Sequence, residues 1–263
     1  MRKVLAISRK ELGGYFTSPV AYLVMAAFFA LSGYFFLDIV TYVNTQSILA
    51  SLRTQMGGGG APVPIDVSSL VAESYFSVLA TLLLFVLPMI TMSLFAEERR
   101  RGTIELLFTS PLSNTQIVLG KYLGAFLFVL VLLLPSALYG WVLYFFADPM
   151  PSLWPLATPF LGALLLASVL VAFGLLISSF TDSDLVAAVV TFAVFLGWWA
   201  LRTAGGDETG FWHSVTQYAA ILSHFDDFVK GVLDTRHVVY YLSLTVLGLF
   251  FTAVSLDLRR LRP

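Results

Sequence analysis

Six long apolar runs are the feature that most constrains how this chain can fold. Each run is long enough to cross about 30 Å of hydrocarbon at about 1.5 Å per helical residue. Helices satisfy their own backbone hydrogen bonds in lipid, and the runs lack the alternating polarity of barrel strands. We therefore predict an all-α integral membrane protein, a single transmembrane domain over residues 1–263. The predicted spans are 19–42, 74–95, 118–146, 153–180, 185–201 and 238–256.

The placement of lysine and arginine predicts the orientation. Eleven of the 15 cations flank the spans on one side: four precede the first span, three follow the last span, and Arg99, Arg100, Arg101 and Lys121 lie in the link between the second and third spans. The positive-inside rule therefore places both termini in the cytoplasm. The five tryptophans lie at or beyond the opposite ends of their spans, as in an interfacial aromatic belt.

Two long segments, 43–73 and 203–237, are predicted to lie on the outer side. The first contains the run Gly57–Gly60 followed by two prolines, which predicts a flexible tip. The second has apolar residues at helical spacing. We expect short helices there that lie in the surface of the outer leaflet.

The sequence indicates no catalytic, cofactor or metal site. The chain has no Cys, which excludes thiolate chemistry. The predicted spans place no ionisable side chain near the bilayer midplane, which argues against an ion-coupled transporter. His213, His224 and His237 lie near two aspartates, but their spacing matches no metal motif, and polar interfacial residues are the favoured interpretation. Energy for any transport is therefore expected to come from another chain.

The link between the second and third spans, residues 96–117, is the most informative stretch. Glu97, Arg101 and Glu105 recur at a spacing of four, which predicts a charged, exposed helix emerging from the membrane. Pro111 is predicted to end that helix, and Ser113–Gln116 is a capping-box pattern that begins the third span. The arginines could serve only to orient the chain. The interleaved glutamates and the capped re-entry favour a surface on which a partner docks.

Three passages carry a resemblance to a known family. Residues 96–111, AEERRRGTIELLFTSP, continue to Lys121 and are similar to the coupling-helix link in the permease subunits of ABC-2-type transporters, and within them the gliding-motility-type permeases. Residues 9–22, RKELGGYFTSPVAY, resemble the amphipathic N-terminal helix of that family. Residues 223–234, SHFDDFVKGVLD, resemble its segment before the last span. The resemblance covers nearly the whole chain but not residues 43–65.

The resemblance implies the permease subunit of an ATP-driven exporter in the bacterial inner membrane, coupled to a separate cytoplasmic ATPase. Further implied partners are a second permease copy, in a homo- or heterodimer, and membrane lipids. An extracytoplasmic auxiliary protein is compatible with the resemblance, and no nucleic-acid partner is expected. A scaffold or force-transmitting subunit that passes no substrate stays open as the alternative, and a lipid-acting enzyme would need the His/Asp cluster at 213–237. The implied ATPase-docking residues are Glu97, Glu98, Arg99, Arg100, Arg101, Gly102, Thr103, Glu105 and Pro111.

Overall fold

The computed structural model describes residues 2–55, 67–105, 112–146, 154–204, 216 and 218–260. Within these ranges the chain is helical apart from short turns. The helices are α1 (Arg2–Thr17), α2 (Pro19–Gln55), α3 (Val67–Thr91), α4 (Ser93–Arg100), α5 (Asn114–Phe146), α6 (Trp154–Phe180), α7 (Asp184–Ala204), α8 (Ile221–Val229) and α9 (Thr235–Arg260).

Six of the helical stretches are long and apolar enough to cross a membrane: α2, α3 together with α4, α5, α6, α7 and α9. They confirm the predicted all-α fold with six membrane-spanning helices. The helices extend beyond the apolar runs, because α2 continues past the predicted end at Tyr42 to Gln55 and α3 begins before Ser74, at Val67. Both flanks of the outer segment 43–73 are therefore helical, and the run Gly57–Gly60 lies outside the described residues.

The second, third and fourth spans form the centre of the bundle, and α6 packs against α3, α5, α7 and α9. Close packing depends on small residues at the helix contacts. A Cβ atom at Gly174 of α6 would lie 2.2 Å from the Thr91 Oγ1 of α3. Buried hydroxyls add hydrogen bonds between helices: the Ser168 Oγ lies 2.7 Å from the Tyr122 hydroxyl and 2.9 Å from the Thr245 Oγ1, which joins α5, α6 and α9.

The prediction that the helix of the link runs from the membrane to Pro111 is wrong, because α4 ends at Arg100. Gly102 adopts a left-handed conformation with φ of 68°. Its N–H donates to the Arg99 carbonyl, and the Thr103 N–H donates to the Glu98 carbonyl, at 2.9 Å each. These two bonds form a Schellman cap, which stops a helix at a glycine. Pro111 itself lies outside the described residues.

The outer helix predicted within residues 203–237 is present as α8, but it does not lie free in the leaflet surface. Its apolar residues Phe225 and Phe228 are fully buried, and α8 packs against α3, α6 and α7. At Gly162 of α6 the contact is so close that a Cβ atom would lie 2.7 Å from the Phe228 Cβ. The apolar face of α8 is therefore covered by protein, and residues 205–215 lie outside the described part of the chain.

Candidate functional site

The N-terminal helix α1 lies along the beginning of α5. Gly120 and Gly124 of α5 allow this approach, because a Cβ atom at either position would lie 2.6 Å from the Cβ of Ile7 or of Glu11, respectively. The Tyr15 hydroxyl then donates to the Ile90 carbonyl of α3 over 2.9 Å. α1 is thus held against two membrane-spanning helices at one end of the bundle. We call this the charged end, and it is the end predicted to face the cytoplasm.

Lys121 is the centre of the charged end. Its side chain is 2% exposed, and its Nζ lies 3.1 Å from the Glu11 Oε1 of α1 and 2.9 Å from the Glu98 Oε1 of α4. The same Nζ donates to the Leu94 carbonyl over 2.7 Å and lies 5.1 Å from the centre of the Phe95 ring. An ammonium has three hydrogens, and three acceptors from two helices surround this one. Lys121 therefore joins α1, α4 and α5.

A side chain from α6 holds the junction between α3 and α4. The Ser178 Oγ accepts hydrogen bonds from the N–H groups of Phe95 and Ala96 over 3.0 and 3.1 Å, and it donates to the Met92 carbonyl over 2.8 Å. The Ser178 hydroxyl thus joins α6 to the backbone at the point where α3 passes into α4.

Two arginines of α4 contact the turn between α6 and α7 and the first residue of α7. The Arg99 Nη1 lies 3.0 Å from the Asp182 Oδ1, and the Arg100 Nη1 lies 2.7 Å from the Asp184 Oδ2. Only 6% of the Arg99 side chain is exposed. The arginines therefore fasten α4 to the charged end of the bundle.

The structure brings most of the predicted docking residues to one place but divides them between two roles. Glu98 and Arg99 face inward and bind Lys121 and Asp182, so the prediction that they are exposed is wrong; their ion pairs inside the chain explain it. The exposed part comprises Arg100, Arg101, Gly102, Thr103 and Glu105, with Glu97 at its edge.

Within this exposed part, one of the two predicted charge pairs has formed. The Arg101 Nη2 lies 2.6 Å from the Glu97 Oε1. The predicted partner four residues further on, Glu105, lies beyond the glycine cap, where the helical spacing no longer applies. The exposed end of the link therefore carries one closed ion pair and one exposed carboxylate.

Sequence reasoning missed the residues that hold the link. Lys121 was counted among the cations that flank the spans, and its partner Glu11 stands 110 positions earlier in the chain. The pair Gly120 and Gly124 was visible as a small-residue spacing, a weak signal in helices rich in glycine and alanine. Ser178 carried no signal at all, since serine is common in membrane helices.

Six membrane-crossing helices and a charged link fastened to one end of the bundle define a multi-pass membrane protein. Residues 5–204 match the family model of the ABC-2 family transporter proteins. Because the match includes more than half of the chain, the protein belongs to that family. It is therefore a permease subunit of an ABC transporter, a family of non-catalytic transport subunits. The match ends before residues 223–234, and no match is found among curated proteins.

Proposed function

We propose that this permease belongs to an exporter driven by a separate cytoplasmic ATPase, which docks on the exposed end of the link. The observation that carries the proposal is the set of ion pairs that α4 makes: they reach α1, α5, the turn between α6 and α7, and the beginning of α7. An element that only orients the chain needs positive charge but no such set of contacts. A force applied to the exposed residues would pass through these contacts into the spans.

The proposed docking surface consists of Arg101, Gly102, Thr103 and Glu105, with Glu97 and Arg100 at its edge and Pro111 beyond it. Arg100, Arg101 and Glu105 supply exposed charge of both signs, which suits recognition of a partner surface by complementary charge. Glu98 and Arg99 contribute to the same function from inside, by holding the surface against the bundle.

The wider assembly follows from the same proposal. A second permease copy, identical or related, would complete a transporter with two ATPases, and an extracytoplasmic auxiliary protein would contact the opposite end of the bundle. The passage at residues 96–121 supports placement among the gliding-motility-type permeases of the bacterial inner membrane. The alternative, a force-transmitting subunit that passes no substrate, would use the same docking surface.

The test is a charge exchange on the exposed surface. The double variant Arg101→Glu with Glu105→Lys keeps the net charge and touches no inward-facing pair. We expect the amount of ATPase that co-purifies with the full chain to fall at least about tenfold, because like charges placed opposite each other at an interface cost several kcal/mol. Pull-down from membranes measures the loss, and thermal unfolding in detergent checks that the spans stay intact.

The matched control is Lys230→Glu, which reverses an exposed charge just after α8 at the opposite end of the bundle. This variant should retain the ATPase in full. If the wild type and the double variant retained equal amounts of ATPase, the charged residues of the link would serve only to orient the chain.

A further inference from the structure

At the opposite end of the bundle, two histidines join α8 to the beginning of α9. The Nδ1 atoms of His224 and His237 lie 2.7 Å apart. The other ring nitrogen of each histidine has its own partner: the His224 Nε2 lies 3.0 Å from the Tyr218 carbonyl, and the His237 Nε2 lies 2.6 Å from the Asp227 Oδ2. The two rings therefore form the middle of a chain of three hydrogen bonds.

The number of protons on this chain follows from its ends. A carbonyl and a carboxylate are acceptors, so both Nε2 atoms carry a hydrogen in the bonded arrangement. The contact between the two Nδ1 atoms then needs one hydrogen. Three N–H hydrogens shared by the two rings correspond to one imidazolium and one neutral imidazole. The negative charge of Asp227 balances the imidazolium. A fourth proton would place two N–H groups head to head across 2.7 Å.

We propose that His224 and His237 form an acid-sensitive latch, which holds α8 on α9 while one proton lies between the rings and releases it when both rings are protonated. This function is separate from ATPase docking at the charged end. The rings are reached from an open pocket lined by Thr235, Arg236 and Ser243 among others, so protons and water have access to them.

Other ionisable groups surround the pair, and each element packed there must be considered. α8 itself carries Asp226 and Asp227, and Lys230 follows it directly; the turn and the beginning of α9 carry Asp234, Arg236 and Tyr240. Arg202 of α7 lies 3.1 Å from Asp226, Glu73 of α3 acts on the same carboxylate, and Tyr218 stacks edge-on against His224. α6 carries no ionisable residue between Trp154 and Phe180. Asp226 is therefore occupied by Arg202, which leaves Asp227 as the carboxylate of the latch.

The direction of the pH effect follows from the surroundings of His224. Burial lowers the pKa of His224 below its usual value; the Tyr218 carbonyl and Asp227 act in the opposite sense, and His237 adds to the lowering. Below the ordinary histidine pKa of about 6.5 both rings bind a proton when the latch is open, whereas the closed latch holds one, so its stability is lost as pH falls below that value. Above that value both open rings are neutral and closing must take up the shared proton, so stability also declines as pH rises.

Release of the latch would reach the membrane-spanning helices. Phe225 and Phe228 of α8 fill the space beside Gly162 of α6, and the Tyr241 hydroxyl of α9 donates to the Ile221 carbonyl at the beginning of α8 over 2.7 Å. α8 thus covers the outer ends of α3, α6 and α7. Loosening of α8 exposes these ends on the side where a cargo or an auxiliary protein would leave or bind.

The experiment measures hydrogen–deuterium exchange in residues 218–229 of the full-length protein in lipid nanodiscs between pH 8 and pH 5. After correction for the intrinsic exchange rate, protection should be greatest near pH 6.5 and fall by up to about tenfold per pH unit on the acid side, with a decline on the alkaline side as the shared proton is lost. His224→Asn and His237→Asn keep a polar atom near the Nδ1 position but do not titrate in this range, so both should abolish the pH response. His213→Asn, which removes the third histidine of the chain, should keep it.

A further variant keeps both rings and predicts the direction in which the pH response shifts. Asp227→Asn removes the negative charge that raises the His224 pKa, so the midpoint of the response should move to lower pH. A response that is absent in wild type, persists in either ring variant or moves to higher pH in Asp227→Asn overturns the latch. Loss of protection on addition of EDTA at pH 7.5 also overturns it, because the shared cation would then be a metal ion.

Discussion

At the scale of single residues, Lys121 shows how a buried charge is tolerated at the edge of a membrane bundle. All three ammonium hydrogens have acceptors, and two of the acceptors are carboxylates. The hydrogen bonding of Glu98 is incomplete, because its Oε2 is buried without a hydrogen-bond partner. The largely buried carboxylates Glu11 and Glu98 therefore depend on Lys121 for a counter-ion. The other cation near Glu98 is Lys10, whose Nζ lies 3.9 Å from the Glu98 Oε1 and whose side chain is largely exposed.

Lys121→Met should destabilise the protein strongly. The substitution leaves Glu11 and Glu98 facing each other without their buried counter-ion, and breaking a buried ion pair costs about 3–5 kcal/mol. Adding Glu11→Gln and Glu98→Gln to Lys121→Met should recover a large part of that loss, since no buried charge then remains unpaired. Chemical unfolding in detergent measures the free energies of unfolding.

Lys10→Met is the matched control for this series. Within the described residues Lys10 makes a long contact with Glu98, and the Lys10 side chain is largely exposed, so its loss should change the free energy of unfolding by no more than about 1 kcal/mol. A Lys121→Met protein as stable as the Lys10→Met protein would show that the central ion pairs contribute little to stability.

At the scale of secondary-structure elements, glycines decide both where the link turns and how closely α1 lies on α5. Gly102 stops α4 because its left-handed conformation is open to glycine and strained for most other residues. The alternating charges of residues 97–105 predict a longer helix, and the glycine cap overrides them. Gly120 and Gly124 have ordinary helical geometry, and their role is to give room to α1.

Gly120→Ala should weaken the docking of α1. The added Cβ would meet the Ile7 side chain at 2.6 Å, and crowding of a packed contact costs about 1–3 kcal/mol. We expect a lower thermal unfolding midpoint in detergent and faster proteolytic cleavage within α1.

Gly140→Ala is the control on the same helix, because a Cβ atom at Gly140 meets nothing within 4 Å. Replacing an unconstrained glycine inside a helix by alanine adds up to about 1 kcal/mol of stability, so this variant should unfold at the wild-type temperature or above. If both alanine variants shifted equally, close contact between α1 and α5 would not be the cause.

At the scale of the whole molecule, charge is distributed unequally between the two ends of the bundle. The charged end holds α1, α4 and the end of α9, which includes Arg259 and Arg260, whereas the opposite end holds α8 and the histidine pair. By the positive-inside rule we predict that the charged end faces the cytoplasm.

Single cysteines test this orientation, and the native chain has no Cys to react in the background. Val232→Cys, in the exposed turn after α8, should react with a membrane-impermeant thiol reagent in intact cells. Thr103→Cys, on the exposed end of the link, should react only after the membrane is opened. The reverse pattern of labelling would invert the orientation, and labelling of both sites in intact cells would contradict the spans between them.

The sequence by itself determined the six spans, because a helix in lipid satisfies its own backbone locally and needs only a long apolar run. It also pointed to residues 96–117 as the unusual stretch, since dense charge beside a membrane span is visible without any structure. The helix boundaries were less predictable: α2 and α3 continue beyond the apolar runs, where hydrophobicity carries no signal.

Only the tertiary structure decided which charges of the link are exposed and which bind one another. Arg99 and Arg101 are indistinguishable in the sequence, yet Arg99 is buried against Asp182 and Arg101 is exposed. Likewise, Lys121 meets Glu11 and Glu98 because α1 folds back onto α5. The physical reason is that a side chain's partners depend on which helices pack together, and this packing arises from contacts between residues far apart in the chain.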